Sequence, residues 1–271
     1  MKHRFAKTIL GTLAALALVA SAHANVVAYW RFEGGDFLAD SSGNNHALTN
    51  VGSVDQVASA FPNPVPQTGA ANLNAASFDG SNYFTADDHG DFTSNQFTLE
   101  AFFSMASDPG TATRVIAGHF GSDEPYENQR SYALGVRGGQ LRVLMSSTGE
   151  GNPNQRIWDV GTVEVGTNYY AAMAVDIDTT SLTMYLQDLS TDTLDVFTFS
   201  DTLSALNQPT APFTIGSTAQ GGALWDGTID EVRLSNAVLT QDQLLIIPEP
   251  GVVGLMALFG AALLVRRRLK G

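Results

Sequence analysis

Short runs in which apolar and polar residues alternate limit this chain more than any other feature. VVAYWRF, at 26–32, places Val26, Ala28, Trp30 and Phe32 on one face. SLTMYLQDL, at 181–189, places Leu182, Met184 and Leu186 on one face and Thr183, Tyr185 and Gln187 on the other. QFTLEAFFSM, SYALGVRGGQLRVLM, TNYYAAMAVDID and DVFTFS are also short, rich in aromatic or β-branched residues, and bounded by Gly, Asn, Asp or Ser. A two-residue period is that of a half-buried strand. RGGQ, at 137–140, reads as a hairpin turn. Inside the domain, LTQDQLL is the one helix-like stretch, with Thr240 as its cap. Many short strands without a strand–helix–strand rhythm predict an all-β, two-sheet antiparallel sandwich. The proline-rich FPNPVPQTG, at 61–69, reads as a surface loop within that domain.

Charge narrows the partners. The chain of 271 residues has a formal net charge of −13. Three basic residues stand at the start and four at the end, leaving seven arginines and no lysine between them. Removing Glu249 from the 27 acids leaves 26 against those seven arginines, a net of −19 for the middle. Such a surface repels phosphate backbones, which argues against nucleic acid. There is no cysteine, so disulfides, thiolate catalysis and cysteine-ligated metals are excluded.

The two ends read differently from the middle. Residues 1–24 combine Lys2, Arg4 and Lys7, an apolar stretch from Ile9 to Ala20, and the small-x-small pattern of Ala22 and Ala24. That order predicts a signal peptide removed by signal peptidase, with maturation at Asn25. At the other end, the 15 residues Gly251 to Val265 carry no charge. As a helix they span about 22 Å at ~1.5 Å per residue, against a bilayer core of about 30 Å. The stretch is therefore a short transmembrane helix, with the basic cluster behind it on the cytoplasmic side. Pro248-Glu249-Pro250, the apolar run and Arg266-Arg267-Arg268 together resemble a PEP-CTERM sorting signal over residues 247–271. The resemblance implies recognition by an exosortase, a temporary membrane anchor, and delivery to the cell surface or extracellular matrix.

The motif order of the middle, residues 25–246, resembles laminin-G-like, concanavalin A-like jelly rolls. Its sharpest parts are Ala39 to His46, Phe78-Asp79-Gly80 and Gly227 to Leu234. Leu186-Gln187-Asp188-Leu189 departs from the Val-Asp-Gly turn of many relatives.

Chemistry-bearing residues are few. DSSGNN, at 40–45, gathers oxygen donors of the kind calcium takes. Regular alternation would put Asp230 on the core side with Val232 and Leu234, where a carboxylate needs a cation or several hydrogen bonds. The predicted calcium ligands are Asp40, Asn45, a backbone oxygen at His46, and Asp230, and the family often carries such an ion. The alternative is an Asx-turn loop, with Asp230 held by Arg233 or backbone amides. His46, His89 and His119 have no zinc-ligand spacing and read as packed or surface histidines. No catalytic motif is present: there is no Gly-x-Ser-x-Gly elbow, and Glu231 and Glu100 each stand apart from a second glutamate. Two polar loops, 121–130 and 146–158, offer Tyr126, Arg130, Asn154, Arg156 and Trp158 for a glycan. Three functions remain: a non-catalytic binder of polysaccharide or matrix polymer, a secreted carbohydrate-active enzyme, and a structural matrix protein.

Overall fold

A computed structural model describes residues 26–191 and 193–248. The signal segment with Ala22 and Ala24 lies outside the described residues, as do Glu249, Pro250 and Arg266 to Arg268; Pro248 is the last residue described. Among the described residues, no helix is long and apolar enough to cross a membrane.

Among the described residues, fifteen strands run in the order β1 (Val26–Trp30), β2 (Thr49–Val51), β3 (Asp55–Ala58), β4 (Asn74–Asp79), β5 (Tyr83–Ala86), β6 (Gln96–Met105), β7 (Thr113–Gly121) and β8 (Gln129–Arg137). They continue with β9 (Gln140–Ser146), β10 (Gln155–Val160), β11 (Asn168–Asp176), β12 (Ser181–Asp188), β13 (Leu194–Phe199), β14 (Phe213–Ile215) and β15 (Asp226–Ser235). One sheet has the order β13-β12-β11-β6-β15-β4-β3, with β1 also on β15. The other has the order β10-β9-β8-β7-β14-β5-β2. All pairings are antiparallel, as the alternating pattern predicts. Gly138 and Gly139 make the predicted hairpin turn, both at positive φ.

The inner faces enclose one large apolar cluster. Trp30, Leu99, Phe103, Leu134, Met184, Phe213 and Trp225 are members. Trp30 stacks on Phe213 at 5.1 Å and donates its indole N–H to His46 O at 2.7 Å. Leu182, Met184 and Leu186 face inward as their spacing predicts. At the start of β1 the alternation breaks. A register shift between Val26 and Ala28 turns Val27 inward and leaves Val26 against the outer cluster.

The first sheet is also covered on its outside. Phe61 and Val65 of the proline-rich loop and Leu239, Leu244 and Leu245 of the C-terminal segment pack there against Tyr29, Phe102, Tyr170 and Tyr185. Gln67 N donates to Leu245 O, tying the two covering segments together. The loop at 61–69 is thus more than a surface connection, because its apolar side chains close a second core. LTQDQLL also differs from expectation. It makes a single 3-10 turn at Gln241–Gln243, capped where Gln243 Oε1 accepts from Thr240 N at 3.0 Å, and after an extended Leu244 it turns again, Ile247 N donating to Leu244 O at 3.0 Å, with both leucines against the sheet.

Candidate functional site

β15 organises the polar interior. One of its edges pairs with β4 over Asp226–Ile229 and then with β1 from Val232 onward. The handover falls at a bulge, where Glu231 has a φ of 49°. The extra residue breaks the alternation that put Asp230 with Val232. Asp230 instead pairs with Phe102 and shares the outer face with it. This corrects the predicted core-side placement.

The outer face therefore buries several charges. Arg31 holds Glu231 through Nη2 at 2.8 Å, and Tyr29 donates its hydroxyl to the same carboxylate. Arg233 donates Nε to Glu100 at 2.7 Å and Nη2 to Gln243 O at 2.8 Å. Glu100 also accepts from the Tyr170 hydroxyl at 2.6 Å and Leu245 N at 2.9 Å. Burial raises the Glu231 pKa, against the lowering effect of Arg31 and Tyr29. Asp230 lies well above the usual carboxylate range, through burial first and the Glu231 charge second.

The predicted calcium ligands separate into two places. Asp40 accepts four hydrogen bonds within its neighbourhood: from Tyr29 N and Ser42 N on Oδ1, and from Ser42 Oγ and His46 N on Oδ2. Those donors already use the oxygens a cation would need, and His46 O is taken by Trp30. Asn45 sits at a positive φ of 64°, a backbone position asparagine tolerates. Asp230 has different partners, Ser59 Oγ at 2.9 Å and Glu231 N at 2.9 Å. The Asn72 side chain also faces it, with both amide atoms buried and without a hydrogen bond of ordinary geometry. A carboxylate, a hydroxyl and a side-chain amide meet there; the amide acts on Asp230 as a donor, so its oxygen would join a calcium ligand set only with the amide turned over. The Asp40 loop does not fit calcium.

A cleft of about 430 Å³ opens on the outer face of the second sheet. Thr85 pairs with Thr214, which pairs with Gly118, and Gly118 lies opposite Ala133 of the outer apolar cluster. Thr85 and its strand neighbour Tyr83 thus form the floor. Asp87 and Asp88 follow on the rim, and Tyr126, Thr210 and Gln220 close the sides. Gln220 fixes one wall to the 121–130 loop, through Nε2 to Ser122 Oγ at 2.7 Å and Ser122 N to Oε1 at 3.2 Å. Asp88 also meets the buried His119 at 3.3 Å. Burial lowers the His119 pKa.

Of the five residues predicted to bind a glycan, Tyr126 lines this cleft. Arg130 stands behind it, stacked over Phe120 at 6.0 Å, with hydrogen bonds to Ser122 O and Gly149 O. Asn154 donates to Glu150 at 2.8 Å. Arg156 and Trp158 lie on the edge strand β10. Trp158 is partly buried, packs against the inner core and lies 6.2 Å from Phe199, away from this cleft's lining. The sequence reading missed Tyr83, Thr85, Asp87, Asp88 and Gln220. NYFTA does alternate, with Tyr83 and Thr85 outward, but nothing in the sequence says which loops meet them.

The family profile described as the concanavalin A-like lectin/glucanases superfamily matches residues 78–245. Among solved structures, domain 4 of AbnA, a GH43 extracellular arabinanase from Geobacillus stearothermophilus in complex with arabinotriose, superposes with a TM-score of 0.57. The two are 17% identical, over 82% of this chain and 97% of that one. The binding domain of Paraclostridial Mosquitocidal Protein 1 gives a TM-score of 0.57 at 10% identity, covering 82% and 51%. Trypanosoma rangeli sialidase in complex with the inhibitor DANA gives 0.53 at 14% identity, covering 82% and 32%. At these identities the likeness is one of fold. No match is found among curated protein sequences.

Proposed function

This chain belongs to the concanavalin A-like lectin/glucanases superfamily, and on that premise we propose that it is an exported, non-catalytic jelly roll that binds a carbohydrate polymer. The cleft between Tyr83 and Tyr126 carries the proposal. Sugars offer C–H faces to aromatic rings and hydroxyls to polar side chains. Two tyrosines beside Thr85, Thr210, Gln220, Asp87 and Asp88 supply both kinds of contact in one concavity. A likeness of fold to a domain whose structure is in complex with arabinotriose supports the same ligand class. The leader reading of residues 1–24 and the sorting reading of residues 247–271 place the domain at the cell surface or in extracellular matrix. Signal peptidase and an exosortase are its export partners in this proposal.

Binding is favoured over hydrolysis by the acids present. Glycoside hydrolysis needs one carboxyl held protonated by burial or by a neighbouring charge. Asp87 and Asp88 are exposed, adjacent in sequence, and one of them faces His119.

The test is a glycan array with the wild type and with Tyr126→Ala and Tyr83→Ala, alongside a reducing-end assay. Binding without released sugar, lost about tenfold or more in either variant, is the expected result. Released sugar moves the protein to the enzymes. Silence across the array, with self-association, moves it to the structural matrix proteins.

The same proposal keeps one structural calcium, now at Asp230 with Ser59 and Asn72. The ion would compensate a buried carboxylate whose charged form burial disfavours. Adding calcium to chelator-treated protein should raise Tm, and Asp230→Asn should abolish the rise. An unchanged Tm removes calcium from the molecule.

A further inference from the structure

The histidines read as unrelated in the sequence meet in space. His46 and His89 lie 43 positions apart, yet their rings pack at 4.8 Å between centroids. Asp91 joins them, and one ligating atom from each of the three residues lies within 4.8 Å of the others. The geometry points to a transition-metal site at His46, His89 and Asp91, separate from the calcium position at Asp230.

Three observations carry this. First, the residue types are right. Two imidazoles and a carboxylate suit a divalent first-row ion, zinc foremost, and leave further positions for water. Second, His46 Nε2 is buried and has no hydrogen-bond partner. Buried ring nitrogens are almost always paired, so this one is left with a lone pair or proton that the protein's own groups do not satisfy. Third, the scaffold holds the ligands. His46 is fixed by its own backbone, through N to Asp40 Oδ2 at 3.0 Å and O to the Trp30 indole, while its ring rests on Phe92 at 4.7 Å. His89 and Asp91 are held by the 3-10 turn Gly90–Phe92, where Asp91 N donates to His89 Nδ1 at 3.3 Å. The His89 Nδ1 and Asp91 Oδ2 atoms stand 3.2 Å apart. Neighbouring ligands on a tetrahedral zinc, with bonds of about 2.0–2.2 Å, sit about 3.4 Å apart. Ligation through Nδ1 would replace the hydrogen bond it accepts from Asp91 N, and the exposed His89 ring is free to turn for that exchange.

The ion would bolt the Asp40–His46 loop to the segment after β5. Asp87 and Asp88, on the cleft rim, directly precede His89. Metal loading would therefore stiffen one wall of the cleft without touching its ligand.

Untagged full-length protein, stripped with chelator, is titrated with zinc by calorimetry and with cobalt by visible absorption. A single stoichiometric ion and the absorption bands of four-coordinate cobalt are expected. His89→Ala and Asp91→Asn, both at exposed positions, should each weaken binding at least about tenfold while leaving the circular dichroism unchanged. Excess calcium should not displace the ion. Absence of stoichiometric binding, or equal binding by the His89→Ala/Asp91→Asn double variant, would overturn the assignment. Neither readout involves sugar, so a failure here is distinct from a failure of the glycan proposal.

Discussion

At the scale of single residues, the interior charges were the hardest feature to read. Glu100 and Arg233 are 133 positions apart, and antiparallel register sets them opposite each other. Both side chains are nearly inaccessible, at 0% and 7% exposed. Replacing Arg233 by methionine strands the Glu100 charge and should cost about 3–5 kcal/mol. Glu100→Gln strands the guanidinium at a similar cost. The double variant has no charge left to strand, and its amide oxygen still accepts from Tyr170 and Leu245. Its loss, measured by urea unfolding, should fall well short of the two single losses added together. Strict additivity would mean that the pair is not coupled. Asp230 shows why such residues are illegible beforehand. Its face depends on one inserted bulge residue, and strand alternation carries no sign of that insertion until the partner strands are known.

At the scale of elements, the strand faces turned to the inner core were legible, and the coverings of the outer face were not. β12 follows its alternation along its length, because Leu182, Met184 and Leu186 have a single core to face. The segment after Ser235 has the composition of a helix yet serves as a strap. Its backbone N–H at Leu245 goes to Glu100, and the carbonyl of Gln243 receives Arg233. Those tertiary hydrogen bonds stand beside short turn bonds, Leu244 N to Gln241 O and Ile247 N to Leu244 O, in place of a continuous helix, and Leu244 and Leu245 both reach 0% exposure. Leu244→Ala or Leu245→Ala should therefore destabilise the whole domain by about 2–5 kcal/mol, the range for an emptied core site. A loss under about 1 kcal/mol, on the scale of a surface change, would show that the strap is dispensable. Among the described residues, the strap's packing on the outer cluster extends as far as Ile247. The site followed the same rule. Tyr126 was found from loop composition, whereas Tyr83, Thr85 and Gln220 join it through β5 and the turn after β14, which only the sheet order brings together.

At the scale of the whole molecule, charge sets the class of polymer that can be held. The chain carries −13 overall, and the basic residues at its two ends lie outside the domain that bears the cleft. The cleft lining includes Asp87 and Asp88 and no lysine or arginine. A sulfated or uronate-rich polymer would meet repulsion both over the surface and at the rim. A neutral glycan meets neither, and its stacking on tyrosine and hydrogen bonds to threonine and glutamine act at short range. The two cases separate in salt. Raising ionic strength from about 0.1 M to about 1 M shrinks the Debye length from about 10 Å to about 3 Å. Affinity for a neutral oligosaccharide should stay within about twofold across that range, as short-range contacts are barely screened. An anionic polymer should bind weakly at low salt and gain as repulsion is screened. Tight binding of an anionic polymer that weakens as salt rises would contradict this, because it requires a cationic surface that the cleft lining does not supply.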